Sequence, residues 1–257
     1  MISHFFQRKG KLDAKEDSLT SLTFDGLKYL PDELFWSILK SSLIIGSLPN
    51  VTAVDDIYFW QHWSAEGTSN TTYIEPDVFI RVERFDVIIE AKRWDKNQQS
   101  VSQKEDQITA YYNDFSDDKK LLYYIELGGL YNKNPEPNYL HNDLEVVICK
   151  TNWSHLLMSI VKHYENLDKL KLKLFNPQKR ILEDIIKGFE LHQFYTMKWF
   201  DDLKHPKMYS NQFDFFKFAK GHNCSKQRLI TPFMNVSKVS LNNITTNNLF
   251  QYAKSTQ

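Results

Sequence analysis

The chain has 257 residues, 32 of them basic and 32 acidic, with 42% hydrophobic and 25% charged residues. This is enough chain to bury one large core of ordinary globular composition, and the charge balance excludes a global basic excess as the means of attracting nucleic acid. The two cysteines, Cys149 and Cys224, form neither a metal-ligand spacing nor a disulfide framework, and no stretch approaches a membrane span; a cytoplasmic protein with no membrane partner is expected.

Residues 1–23 are polar and are expected to be flexible. "PDELFWSILKSSLII" then predicts a helix: Pro31 suits a first turn, and Leu34, Phe35, Ile38 and Leu39 form an apolar stripe. "VTAVDDIYFWQHW" (51–63) reads as a strand and "SAEGTSNTT" as a loop, and two further strands are predicted over 73–83 and 85–92. From Asn97 to Phe115 the period becomes helical, with Val101, Ile108, Tyr112 and Phe115 on one side. "KKLLYYIEL" and "LEVVICK" are short apolar runs, hence strands. "NWSHLLMSIVKHYENL" and "NPQKRILEDIIKGFELHQF" are helices, the second opened by Asn176 and Pro177. The order predicts an α/β fold, a mixed sheet flanked by helices, over 24–193. Residues 194–257 read as a helical or irregular extension. Between 198 and 238 aromatic and basic residues interleave, as a small aromatic core with a lysine rim or as a surface for phosphates and bases.

The stretch "PDVFIRVERFDVIIEAKRW" (76–94) carries acids in two strands apolar enough to be core. If the two form a hairpin turning at Glu83 and Arg84, residue 77 lies opposite residue 90, with Cβ atoms about 4.5–5.5 Å apart. Strand alternation puts Lys92 on the same face as Glu90. Asp77, Glu90 and Lys92 should therefore converge. Two opposed carboxylates repel unless a cation lies between them, and a hard divalent ion takes carboxylate oxygens. A cross-strand salt-bridge patch is the structural alternative.

Pro76-Asp77, a twelve-residue gap and Glu90-Ala91-Lys92 at the end of an apolar strand resemble the PD-(D/E)xK nuclease superfamily, as does the helix–strand–strand–strand–helix–strand order. "QITAY", Gln107 to Tyr111, resembles the Q-x-x-x-Y element of the RecB-like exonuclease branch; of that branch's upstream glycine–histidine element only His62 is a nearby candidate. The resemblance spans 31 to about 130. It implies a restriction-endonuclease-like fold and Mg²⁺ or Mn²⁺ held by Asp77, Glu90 and the carbonyl of Ala91. Lys92 would act on water and phosphate, Gln107 and Tyr111 would help hold Lys92 and the substrate strand, and Glu33 would be the acid that the first helix supplies to a second metal or to a water. For Glu33, stabilisation of the helix dipole is the alternative; for Gln107 and Tyr111, it is the boundary of an amphipathic helix. The implied activity is phosphodiester hydrolysis, in DNA in preference to RNA, in defence against phage or mobile elements or in repair, with a protein partner or a second copy supplying specificity. A catalytically silent nuclease-fold module that binds nucleic acid or protein is the competing expectation.

Overall fold

The computed structural model describes residues 5–7, 9–10, 13–130, 134–135, 138–141 and 144–196. The interleaved aromatic and basic segment 198–238 lies outside the described residues.

The strands of the described residues form a six-stranded sheet of order β1-β4-β5-β6-β8-β7: β1 Asp56–Phe59, β4 Val78–Arg81, β5 Phe85–Ala91, β6 Leu121–Leu127, β7 Tyr139–His141 and β8 Leu144–Thr151. β4 runs antiparallel to its neighbours β1 and β5, the strands β5, β6 and β8 are parallel, and β7 returns antiparallel on β8. Every residue of β5 is buried, as a central strand covered on both faces requires. A second, two-stranded sheet pairs β2 (Trp63–Ser64) with β3 (Tyr73–Ile74).

Among the described residues five helices cover the sheet: α1 Glu16–Leu27, α2 Asp32–Ser42, α3 Val101–Phe115, α4 Trp153–Lys169 and α5 Asn176–Leu191. Helices α1, α2, α4 and α5 share one core with the odd-numbered residues of β5, Val87, Ile89 and Ala91. Helix α3 and the β2–β3 hairpin cover the opposite face, where Trp63, Ile74, Ile108 and Tyr111 pack with Phe79, Ile88 and Tyr124. The fold is therefore an α/β mixed sheet between helical layers, as the element order predicts. No helix among the described residues is long and apolar enough to cross a membrane.

Four local expectations are corrected. Residues 16–23, expected to be flexible, belong to α1. Its buried face includes Thr20 and Thr23 beside Leu19, Phe24 and Leu27, so polar residues interrupt the stripe that periodicity detects. The helix packs on α5 at two glycines: a Cβ on Gly26 would stand 2.7 Å from Ile185, and one on Gly188 would stand 2.4 Å from Leu22. The 51–63 strand is broken because Trp60 lies in the left-handed region (φ 48°). Strand β7 was not anticipated. Finally, Val101 is 65% exposed, and the buried face of α3 is Lys104, Gln107, Ile108, Ala110 and Tyr111, of which Lys104, Gln107 and Tyr111 carry polar groups.

Candidate functional site

The β4–β5 register follows from a two-residue turn at Glu83 and Arg84, closed by Val82 N donating to the Phe85 carbonyl at 3.2 Å. Val78 pairs with Ile89, which sets Asp77 opposite Glu90. In the parallel ladder Glu90 aligns with Glu126, and Glu126 with Lys150. Four neighbouring strands thus carry Asp77, Glu90, Glu126 and Lys150 in one row on the α3 face. All four are buried, with Asp77 9% and Glu90 2% exposed. Lys104 of α3 donates to Glu126 at 2.9 Å, and Lys150 lies 3.6 Å from its other oxygen.

Asp77 is held by two N–H groups. Ala91 N donates to Oδ2 at 2.8 Å and the Trp60 indole to Oδ1 at 3.2 Å. The left-handed backbone of Trp60 is an uncommon conformation for a bulky residue, and it brings the indole back onto Asp77 while Trp60 N donates to the Asp77 carbonyl. Burial first, then the Glu90 charge, push the Asp77 carboxyl up to about 7. The proline of Pro76-Asp77 has a role of its own. In this register it stands opposite Ala91 and has no N–H to give the Ala91 carbonyl, which points to the same edge as the Ala91 N–H. That carbonyl is thereby kept out of the β4 ladder.

Glu90 is gripped from three sides. Lys92 Nζ and Gln103 Nε2 donate to Oε1, the second at 2.7 Å, and Gln107 Nε2 donates to Oε2 at 2.7 Å. Tyr124 OH in turn donates to Gln107 Oε1 at 2.7 Å and fixes which way that amide points. Burial raises the Glu90 pKa, against the pull of Lys92 and Gln107. Burial alone would lower the Lys92 pKa, but Glu90, Glu16 and Asp77 outweigh it and raise it, so the ammonium stays charged.

Asp77, Glu90, Ala91, Lys92 and Gln107 therefore come together, although Gln107 holds Glu90 where it was expected to hold Lys92. Tyr111 and Glu33 do not join them. Tyr111 is buried one turn further along α3, and its hydroxyl donates to Asp86 Oδ2 at 3.1 Å, so it holds the turn end of the hairpin rather than Lys92. Glu33 is exposed on the first turn of α2 and makes none of the contacts of this cluster. The helical acid that reaches the cluster is Glu16, the first residue of α1. One oxygen lies 3.6 Å from Lys92 Nζ and the other accepts the Arg93 N–H at 2.8 Å. His62 is also elsewhere, stacked on Tyr73 and paired with Glu75 at 2.8 Å.

The frame around Lys92 was missed by the sequence reading. β6 ends in Gly128 and Gly129, both at positive φ (74° and 67°). A Cβ on Gly128 would stand 2.0 Å from the Lys92 carbonyl, and one on Gly129 2.7 Å from Lys92 Cβ, so only glycine lets the two backbones approach. Trp153 Nε1 donates to the Lys92 carbonyl at 3.0 Å, and Lys92 N donates to Leu127 O at 2.7 Å. Gln99 bridges the carbonyls of Glu90 and Gly128 at 3.2 and 2.9 Å. One signal was available: Gln99, Gln103 and Gln107 recur every four residues, one stripe along and just before α3.

Among the described residues no group of three or more His, Cys, Asp or Glu side chains forms a metal cage. The donor set at β4 and β5 is two hard carboxylates and one backbone carbonyl, which suits a cation that keeps several waters.

No family model matches the chain. The uncharacterized protein PM0110 of Pasteurella multocida (strain Pm70) is 24% identical to it over 205 residues, covering 76% of this chain and 77% of that protein. Among solved structures, a chain of a refined half-complex from a tetradecameric assembly of Thermococcus gammatolerans McrB AAA+ hexamers with bound McrC aligns with a TM-score of 0.24 and 17% identity. The alignment covers 39% of this chain and 24% of that one.

Proposed function

We propose that this chain is a metal-dependent nuclease that hydrolyses phosphodiester bonds, in DNA in preference to RNA. The observation that carries the reading is the pair of opposed buried carboxylates at the end of the sheet. Asp77 and Glu90 oppose each other in register, Glu16 stands behind them, and Lys92 is their shared cation. Asp77, Glu90 and the Ala91 carbonyl would hold Mg²⁺ or Mn²⁺, which when bound supplies Lewis-acid charge against phosphate oxygens. Glu16, rather than Glu33, is the helical acid in reach of that position.

Lys92 donates to Glu90 and would turn its ammonium to an incoming phosphate, where positive charge counts most as negative charge builds on the oxygens. Gln103 and Gln107 fix the Glu90 carboxylate, and the Gly128–Gly129 turn fixes the Lys92 backbone. These residues position; they do not react. The test is incubation of the full chain with single- and double-stranded DNA and RNA in Mg²⁺, Mn²⁺ or chelator. Cutting that needs the divalent ion, and that Lys92→Ala loses while remaining folded, supports the reading. Cutting unaffected by chelator or by Lys92→Ala removes it.

One observation favours a second reading, a module that binds without cutting: Glu90 already has partners on both oxygens without any cation. Calorimetric titration of the chain with Mn²⁺ separates the two, since a silent module takes up no ion that depends on Glu90.

A further inference from the structure

The β2–β3 hairpin is clipped onto α3. Ser69 donates through its N–H and its hydroxyl to Asp106, Ser64 N donates to Asp114 at 3.2 Å, and Asn113 Nδ2 donates to the Glu66 carbonyl at 2.7 Å. Trp63 roots the hairpin in the core against Phe79 and Phe115. Between hairpin and helix lies a polar cavity of about 300 Å³, lined by Asn70, Tyr73, Glu75, Ser102, Gln103 and Gln107 among others. Gln103 and Gln107 are the residues that donate to Glu90, so this cavity shares a wall with the acidic cluster.

From this geometry we infer that the cavity receives one unpaired nucleobase of a DNA strand whose phosphate lies at Asp77 and Glu90. The inference rests on the nuclease reading for the placement of the phosphate. Size limits the occupant: the volume is at the lower end of small-ligand sites, about 300–1,000 Å³, and admits a single ring system, not a base pair. Charge limits it further. Glu75 and Asp106 also line the cavity, so a phosphate would meet like charge, whereas a neutral base would not. Tyr73 supplies an aromatic wall: it is 43% exposed, and the His62 ring holds it from one face, centroids 3.8 Å apart and planes 13° apart, with Glu75 anchoring His62 at 2.8 Å. The Ser102 hydroxyl and the Gln103 amide offer hydrogen bonds to a base edge. A duplex could reach the site only by unstacking a base, and single strands are the preferred substrate.

The experiment uses the full chain, chelator and short fluorescein-labelled single-stranded DNA, measuring binding by anisotropy while a single abasic nucleotide is moved along the strand. Wild type should lose roughly fivefold or more in affinity when the abasic nucleotide sits at one position, and little elsewhere. Tyr73→Ala should bind the intact strand with a similar loss and no longer register that position, since coupled partners are not additive. Tyr73→Phe should restore both affinity and position dependence; melting curves for both variants check folding. A uniform response to the abasic scan, or a Tyr73→Ala variant that keeps the position dependence, overturns the base site and leaves the nuclease reading standing. Position-dependent binding without divalent-dependent cutting overturns the nuclease reading and leaves the base site. Binding of no DNA strand overturns the base site.

Discussion

The two ends of the β4–β5 hairpin bury acids on the same face of the sheet, four residues apart on β5, and treat them in opposite ways. At the turn end Asp86 is fully buried, with Arg81, Lys120 and the Tyr111 hydroxyl within 3.5, 3.3 and 3.1 Å, and Arg81 also pairs with Asp118. Two acids meet two cations there. At the other end, among the described residues, Lys92 serves Asp77, Glu90 and Glu16 together, while Lys104 and Lys150 sit on Glu126. Burial raises the pKa of Asp86 as it does that of Asp77, but at Asp86 the neighbouring charges oppose the rise, whereas Glu90 adds to it at Asp77. A buried acid alone therefore does not mark a site. On the proposed reading it is the second acid, Glu90 opposite Asp77, that makes the difference.

The largest expected effects follow from exchanging one end for the other. Asp77→Ala or Glu90→Gln should lower divalent-dependent cutting at least about 100-fold while the fold persists. Asp86→Ala should do the reverse: it strands Arg81 and Lys120 in a buried position and should cost on the order of 3 kcal/mol in urea unfolding, yet leave cutting per folded molecule near wild type. If Asp86→Ala abolished cutting in the folded protein, the division between the two ends would be lost. Mn²⁺ sharpens the same contrast. At about 100 times its dissociation constant it should stabilise wild type by ~2.7 kcal/mol, as any ligand of the folded state does. That gain should vanish in Glu90→Gln and persist in Asp86→Ala.

The sequence carried the pairing of these strands because nothing between Asp77 and Glu90 interrupts a symmetric turn, and the alternation of apolar residues fixes one register. Asp77, Glu90, Ala91, Lys92 and Gln107 were legible for that reason. Tyr111 was misread because helix and strand rise by different amounts per residue. Gln107 and Tyr111 are one turn apart, about 6 Å, while Glu90 and Asp86 are about 13 Å apart along β5, so the two side chains splay to opposite ends of the hairpin. Glu16 and the Gly128–Gly129 turn were out of reach of any local pattern: they come to Lys92 from 76 and 36 residues away through packing that a single sequence does not display. The α1 helix that carries Glu16 was itself concealed by the threonines on its buried face.

A smaller effect concerns pH. The folded chain holds a proton on Asp77 with a pKa of about 7, against the ordinary 3.8, so it binds that proton more tightly than the unfolded chain does. The stability this group confers is complete below about pH 4 and is lost as pH rises through about 7. Metal-free protein should accordingly lose roughly 1–3 kcal/mol between pH 4 and pH 8 in urea titrations, and saturating Mg²⁺ should flatten the loss, since the ion favours the ionised form. Glu90→Gln removes the like charge but not the burial, so it should move the midpoint of the pH dependence down without abolishing it. Asp77→Asn is the less clean probe: both carboxylate oxygens accept an N–H, and the amide nitrogen would face one of the donors.

The smallest effect tests the splayed pair on α3. Gln107→Ala removes the donor to Glu90 Oε2 and leaves the Tyr124 hydroxyl without its acceptor, so it should slow cutting while Mn²⁺ affinity, set by the carboxylates, changes little. Tyr111→Phe removes one hydrogen bond to the fully buried Asp86 and keeps the ring that packs against Trp63, Phe79 and Phe115. Arg81 and Lys120 still compensate the charge, so the loss should be that of the single bond, ~1–2 kcal/mol. Cutting should remain at the wild-type rate, because the hydroxyl serves the turn end of the hairpin and not Lys92. Steady-state rates for the two variants, measured beside their melting curves, give the result directly: the glutamine should move the rate more than the stability, and the tyrosine the stability alone. A slow but fully stable Tyr111→Phe would instead tie the two ends together through α3 and erase the distinction between them.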